Sequence, residues 1–282
     1  MRVFQTQKEL QTELNRAENL SKKTGFVPTM GALHQGHLSL LAQSLAENEI
    51  TVLSIFVNPT QFNNADDLKK YPRTLEKDVE LMQKLNKNIL VYAPSVSDIY
   101  EGNTISTSFN YDGLENQMEG KHRPGHFDGV GTIVKKLFEI IKPTNAYFGE
   151  KDFQQLQIVR KLVAKYKIQV NIIGCEIFRE KSGLAMSSRN ERLSESAKNE
   201  SKLIFQILNK AKEKFTVKSA NEVVAFVENE FKKHPNFTLE YFEIAAEDTL
   251  LTCKRKVKNK KYRGFIAVFI ENIRLIDNIS LK

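Results

Sequence analysis

The stretch Pro28-Thr29-Met30-Gly31-Ala32-Leu33-His34-Gln35-Gly36-His37 carries the residue types in this chain best suited to chemistry. A strand-like run ending at Pro28 feeds into a His-x-Gly-His segment that opens a helical pattern. Imidazoles spaced i,i+3 share one side of a first helical turn. The start of such a helix offers unpaired N–H groups and a partial positive charge, which suit an anion such as phosphate. Gly31 and Gly36 leave room for a flat base or a phosphate. The chemistry this suggests is displacement at the α-phosphate of a nucleotide. Two plainer readings compete: a zinc half-site, or a pair that merely caps and packs a helix. Structural zinc wants four ligands, usually rich in Cys, and Cys175 and Cys253 stand far apart.

Other polar segments add partners. Asn58 and Gln61 follow an apolar run, and each amide can donate and accept, which suits a hydroxyl and a carboxylate of a small substrate. Ordinary loop capping is the alternative. Asp66-Asp67 can hold a hydrated Mg2+ or simply be solvated. In Gly149-Glu150-Lys151-Asp152, the glycine permits close approach, the lysine supplies a point charge, and the aspartate can accept from a ribose hydroxyl or from main-chain N–H groups. Gln154 and Gln155 follow in the first helical turn. Arg123 lies in a turn with His122 and His126, whose imidazoles read more readily as loop hydrogen-bonding groups than as ligands. Finally, Met186-Ser187-Ser188-Arg189 places hydroxyls and a guanidinium in a small-residue loop able to close over a triphosphate.

These segments need a scaffold. Thr6 and Glu9 form a capping box for a helix over 7–20. Strands are expected at 23–28, 50–57, 88–92, 146–148 and 168–173, and helices at 38–46, 74–85, 129–141 and 153–166, with a polar loop over 58–73. Such alternation predicts an α/β fold, a Rossmann-like doubly wound parallel sheet, with ligands at the carboxyl ends of the strands. After residue 180 the pattern changes to helices over 195–215 and 220–233, then two or three strands. That reads as a smaller C-terminal α+β lid domain, 181–282, following a nucleotide- and substrate-binding domain, 1–180.

The 282-residue composition, 41% hydrophobic and 27% charged, is that of a soluble globular protein. No apolar run approaches a membrane span, no signal core opens the chain, and two cysteines make no disulfide framework, so a cytoplasmic protein is expected. The net charge of +8 is densest over 254–263, between strand-like segments, and reads as a solvated hairpin loop. A nucleic-acid module is the alternative, but no aromatic interleaving supports it, and no nucleic-acid or membrane partner is expected.

With its motifs assembled in order, the chain resembles the pantoate–β-alanine ligase family, of the nucleotidyltransferase superfamily with the His-x-Gly-His motif. The resemblance rests on 28–37, Phe-Val-Asn-Pro-Thr-Gln-Phe (56–62), Tyr-Pro-Arg-Thr (71–74), Arg-Pro-Gly-His-Phe-Asp-Gly-Val (123–130), Gly-Glu-Lys-Asp-Phe-Gln-Gln-Leu (149–156), Met-Ser-Ser-Arg-Asn (186–190) and Arg-Leu-Ile-Asp-Asn (274–278). It implies an AMP-forming ligase, usually a homodimer, that uses ATP with Mg2+ to join pantoate to β-alanine through an acyl adenylate. It places ATP along Met30, Gly31, Ala32, Leu33, His34, Gln35, Gly36 and His37, along Gly149, Glu150, Lys151 and Asp152, at Phe178, and along Met186, Ser187, Ser188 and Arg189. His34, His37, Lys151 and Arg189 would be catalytic, with His37 the proton donor. Gln61 and Gln155 would meet pantoate, and Gln61 would also meet β-alanine; from the residues themselves, Asn58 joins the pantoate set and Asp66 and Asp67 are the metal candidates. Departures from the family are Thr60, where a larger apolar residue is usual, the heavy basic run, and a bulkier 266–271 segment. The His-x-Gly-His segment alone also permits a nucleotidyltransferase that leaves the nucleotide on its product.

Overall fold

The computed structural model describes residues 1–16 and 19–281. Among them, six strands form one parallel sheet: β1 (Arg2–Phe4), β2 (Thr24–Thr29), β3 (Ile50–Ile55), β4 (Leu90–Tyr92), β5 (Asn145–Gly149) and β6 (Asn171–Cys175), in the order β1-β4-β3-β2-β5-β6. From β2 the chain builds outward through β3 and β4 on one side, then returns to add β5 and β6 on the other. The order therefore reverses between β2 and β5, and the crevice at that reversal is where such sheets bind ligands.

The strands are nearly continuous apolar runs because both faces of the sheet are covered. Successive residues point to opposite faces. Phe26, Val52, Tyr92 and Phe148 join one core with the helices His126–Ile141 and Phe153–Tyr166. Their neighbours Val27, Leu53, Val91 and Tyr147 join another with the helices Gln35–Glu47 and Leu75–Leu85.

Beyond Cys175 come the helices Glu195–Glu200, Lys202–Val217 and Ala220–Lys232, then an antiparallel sheet of β7 (Thr238–Ala246), β8 (Tyr262–Ile270) and β9 (Ile273–Ser280), in that order. A separate core, from Leu184 to Leu281, holds these together, while Ala245, Leu250 and Phe265 pack into the N-terminal core. The basic run is the β7–β8 connection, where Lys256 lies over the Phe215 ring and Lys260 faces Asp248. No helix among the described residues is long and apolar enough to cross a membrane.

The α/β class and the small C-terminal antiparallel sheet match the expectation from sequence. The differences have local causes. The first helix has its capping box at Thr6 but ends at Leu14; of the expected 7–20 span, Ala17 and Glu18 lie outside the described residues. The expected 195–215 helix breaks at Ser201, whose hydroxyl donates to Ala197 O at 2.7 Å. The polar loop after β3 contains a helix, Ala65–Lys70, because the Asn64 side chain accepts from Asp66 N and Asp67 N. The edge strand β1, with three residues, is too short to show an alternation in sequence.

Candidate active site

At the end of β2 the chain reverses through Gly31 (φ 86) and Ala32 (φ 51), both left-handed. Gly31 is required twice over, since a Cβ there would sit 3.1 Å from Ile55 Cγ2 and 3.2 Å from Asp78 Oδ2. The reversal is held by the buried Asp78 carboxylate, which accepts from Ala32 N at 3.0 Å and Leu33 N at 2.8 Å. Thr74 Oγ1 adds a third hydrogen bond to Asp78. Met30, His34, Gly36 and His37 line a cleft with a cavity of about 280 Å³. Ala32 and Leu33 instead turn their N–H groups to Asp78, so these two amides shape the turn and are not free to meet a phosphate. Nothing in the sequence marks Asp78 for this role.

His34 is the N-cap of the helix Gln35–Glu47, and His37 lies one turn in. Their rings stack at 4.0 Å between centroids, inclined by 28°. The main-chain N–H of His34 donates to His37 Nδ1 at 3.3 Å. Since Nδ1 accepts, the proton of the neutral ring sits on Nε2. Gly36 makes the stack possible: a Cβ there would lie 3.0 Å from the His34 ring atoms Cε1 and Nδ1. Burial, with the Lys151 charge adding to it, lowers the His34 pKa to about 4. Burial, then His34 and Lys151, lowers His37 to about 3. At neutral pH the pair is therefore uncharged, and it offers hydrogen bonds rather than fixed positive charge. His34 Nδ1 is buried without a partner among the described residues.

Across the sheet reversal, β5 ends in Gly149 and the short turn Glu150–Asp152. Lys151 is largely buried on the cleft wall, with Nζ 3.6 Å from Asp152 Oδ2. Its main chain is fixed from β9, where Asn278 Nδ2 donates to both Glu150 O and Lys151 O at 2.9 Å. Arg263 orients Asn278 by donating to its Oδ1 at 2.6 Å, and also reaches Glu150 Oε2 at 3.4 Å. The Glu150 side chain thus faces Arg263 of β8 and does not line the cleft. Of the paired glutamines, Gln154 is buried and spent on Glu119 N, Leu114 O and Gln117 O. Gln155 lines the cleft, and its side chain makes no hydrogen bond among the described residues.

Gln61 also lines the cleft and is held at both ends. Its main-chain carbonyl accepts from His126 Nδ1 at 2.8 Å, while His126 Nε2 stands 3.2 Å from Arg123 Nη1. Burial, reinforced by Arg123, lowers the His126 pKa to about 4, so this ring is neutral too. The Gln61 side-chain carbonyl accepts from Asn58 Nδ2 at 3.1 Å. Asn58, expected to grip substrate, is buried and its amide is spent within the protein: Nδ2 also donates to Gly129 O at 3.1 Å, and Oδ1 accepts from Tyr100 and Thr60. Asn58 thus braces Gln61 while itself lining the cleft.

The loop after residue 178 begins as a hairpin, with Met186 N donating to Phe178 O at 3.0 Å and Arg179 paired with Ala185. Arg179 holds the buried Asp277 of β9 in a two-point ion pair at 2.7 and 2.9 Å. Phe178, Met186, Ser187, Ser188 and Arg189 line the cleft, and Ser187 Oγ caps Arg189 N at 3.3 Å. Arg189 Nη2 lies 3.5 Å and Arg192 Nη1 3.8 Å from Asp67. Asp66 and Asp67 are therefore first-turn residues of a short helix, with Asp67 engaged by guanidinium groups. Among the described residues no group of three or more His, Cys, Asp or Glu is placed to hold a metal ion. These carboxylates do not make a metal cage, so a Mg2+ here would take its ligands chiefly from phosphate oxygens and water. Glu119, unmarked in the sequence, lines the cleft and takes both Arg274 nitrogens at 2.7 and 2.9 Å and Tyr241 OH at 2.7 Å. Burial opposes its ionisation, but Arg274 and Tyr241 overcome that and hold its pKa at about 2.

The site thus joins two neutral histidines, one buried lysine, two amides facing the cleft, and an arginine loop at the sheet reversal. The model of the family described as Pantoate-beta-alanine ligase matches residues 2–280. The chain is 65% identical to a pantothenate synthetase of Flavobacterium psychrophilum and 50% identical to one of Christiangramia forsetii, each over the whole of both chains. Its structure is similar to the crystal structure of pantothenate synthetase from Thermus thermophilus, with a TM-score of 0.91 at 38% identity, covering 100% of this chain and 99% of that one. The Francisella tularensis pantoate-beta-alanine ligase, solved with beta-gamma ATP and beta-alanine, gives 0.78 at 36% identity, covering 100% and 98%. Matched from end to end in sequence and fold, this chain is an enzyme of the pantoate-beta-alanine ligase family.

Proposed function

We propose that the cleft binds ATP, pantoate and β-alanine and makes pantothenate in two displacements. A pantoate carboxylate oxygen attacks the α-phosphorus, and pyrophosphate leaves. The β-alanine amine then attacks the acyl carbon, loses a proton, and AMP departs. The observation that carries this reading is the placement of the His34–His37 pair and of Lys151 at the ends of β2 and β5, on either side of the sheet reversal. The Nε2–H of His37 is a preset donor for a phosphate oxygen, while Lys151 and Arg189 offset charge on the triphosphate. Such donors act by stabilising charge as it develops, with no covalent enzyme intermediate.

In this reading Met30, Gly36, Gly149, Phe178 and Met186 to Arg189 form the nucleotide side. Gln61 and Gln155 hold pantoate, and Gln61 also faces β-alanine. Mg2+ enters with the triphosphate, where it would offset phosphate charge. The division at 180/181 into a binding domain and a lid is supported by the separate core from Leu184 to Leu281. A cytoplasmic setting is supported by two buried free cysteines, and a homodimer is the assembly that we propose to test by light scattering. An AMP-release assay with each substrate omitted in turn tests the chemistry: product requires all three substrates, and ADP in place of AMP overturns it.

A further inference from the structure

We propose that Tyr100 and Thr60 are positioning residues that fix the polarity of Gln61, so that the cleft meets its amide N–H groups and not its carbonyl. The proposal rests on the reading of Gln61 as a pantoate contact. An amide side chain is nearly symmetric in shape, and only its partners decide which edge faces where. Here the decision starts at Tyr100, the buried last residue of the helix turn Val96–Tyr100. Its hydroxyl donates to Asn58 Oδ1 at 2.6 Å, and Thr60 Oγ1 stands 3.1 Å from the same oxygen and 3.0 Å from the Tyr100 hydroxyl, so its proton supports this oxygen directly or through the phenol. Burial raises the Tyr100 pKa against the opposing hydrogen bonds of Thr60 and Asn58, so the phenol keeps the proton it donates.

With its oxygen claimed, Asn58 turns Nδ2 to two acceptors, Gly129 O and Gln61 Oε1, each at 3.1 Å. The Gln61 carbonyl is thereby consumed inside the wall, and its Nε2 is left 3.0 Å from Met30 Sδ. A thioether is a weak acceptor, so these N–H groups pass readily to a carboxylate or hydroxyl oxygen of the substrate. Two hydroxyls remote from the cleft thus set which atoms of the substrate can be read. The relay is written partly in Thr60, where an apolar side chain would supply no donor.

Initial-rate kinetics of Tyr100→Phe and of the Tyr100→Phe, Thr60→Val double variant test this. Removing donors from the buried Asn58 oxygen should raise the KM for pantoate about tenfold in the double variant, leaving the KM for ATP within about twofold. Tyr100→Phe alone, which deletes a single oxygen atom, should fall between and serves if the double variant does not fold. On a Gln61→Ala background the same changes should add nothing to the pantoate KM. An unmoved pantoate KM, or a parallel rise for both substrates, overturns the positioning role. If Gln61→Ala itself leaves the pantoate KM unchanged, the assignment of Gln61 falls, and the proposal falls with it.

Discussion

His37 Nδ1 accepts the main-chain N–H of His34 at 3.3 Å, which ties the tautomer of one histidine to the backbone of the other. The donor on Nε2 is set before any nucleotide arrives. His37→Ala should lower kcat by roughly 10²-fold or more if that donor meets charge in the transition state. His37→Gln, which can place an amide nitrogen near Nε2, should recover part of the loss. Single-turnover AMP release with a thermal melt checks this, and near wild-type rates in the alanine variant would remove the role.

Asp78 holds two main-chain amides of the Gly31–Leu33 reversal. Asp78→Ala leaves these partly buried amides without their acceptor, at a stability loss of roughly 1–3 kcal/mol. The KM for ATP should rise with it, because Met30 and His34 flank the loosened turn. Urea unfolding with ATP titration separates the two effects.

Gly129 touches the segment that carries Gln61: an added Cβ would lie 2.3 Å from Thr60 O and 2.7 Å from Gln61 Cα. Backbone cannot step aside as a flexible side chain can. Gly129→Ala should destabilise by about 1–3 kcal/mol through overpacking, and should raise the KM for pantoate more than that for ATP.

Acid should weaken the fold through its buried imidazoles. Burial lowers the folded pKa values of His34 and His126 to about 4 and of His37 to about 3, from 6.5. The unfolded chain therefore binds more protons once the pH drops below 6.5, so stability falls through that range and levels off only below the folded values. The melting temperature should be steady above about pH 7 and decline steeply towards about pH 4. His126→Asn, though less stable at neutrality, should show a shallower decline; an equal slope would exclude His126 as a contributor.

ATP should change this protonation. A triphosphate beside neutral imidazoles favours their charged form, so nucleotide binding near about pH 4–5, just above the folded pKa of His34, should take up protons. Calorimetry in buffers of different ionisation enthalpy measures that uptake, and its absence would show that the phosphates lie away from His34 and His37.

Much of the scaffold was legible because its signals are local. The helix Phe153–Tyr166 has its expected bounds, and β3 reads as a buried strand from its apolar run alone. The stack of His34 on His37 follows from their spacing. What the sequence could not show are pairings across long separations. Asp78 lies 46 residues beyond Ala32 and looks like any polar position on an amphipathic helix. Asn58 reads equally well as a ligand group or a cap, and the partner of its oxygen, Tyr100, lies 42 residues on. Glu150 and Asp67 look free in one dimension, yet Arg263 claims the first and Arg189 and Arg192 the second.

Asn278, near the end of the last strand, clasps the consecutive main-chain carbonyls of Glu150 and Lys151. The charged wall of the cleft therefore depends on residues encoded more than a hundred positions away from it. A hybrid enzyme made by exchanging C-terminal segments between relatives must keep Asn278 and Arg263 in step with the 149–152 turn, or it will inherit two folded halves and half a site.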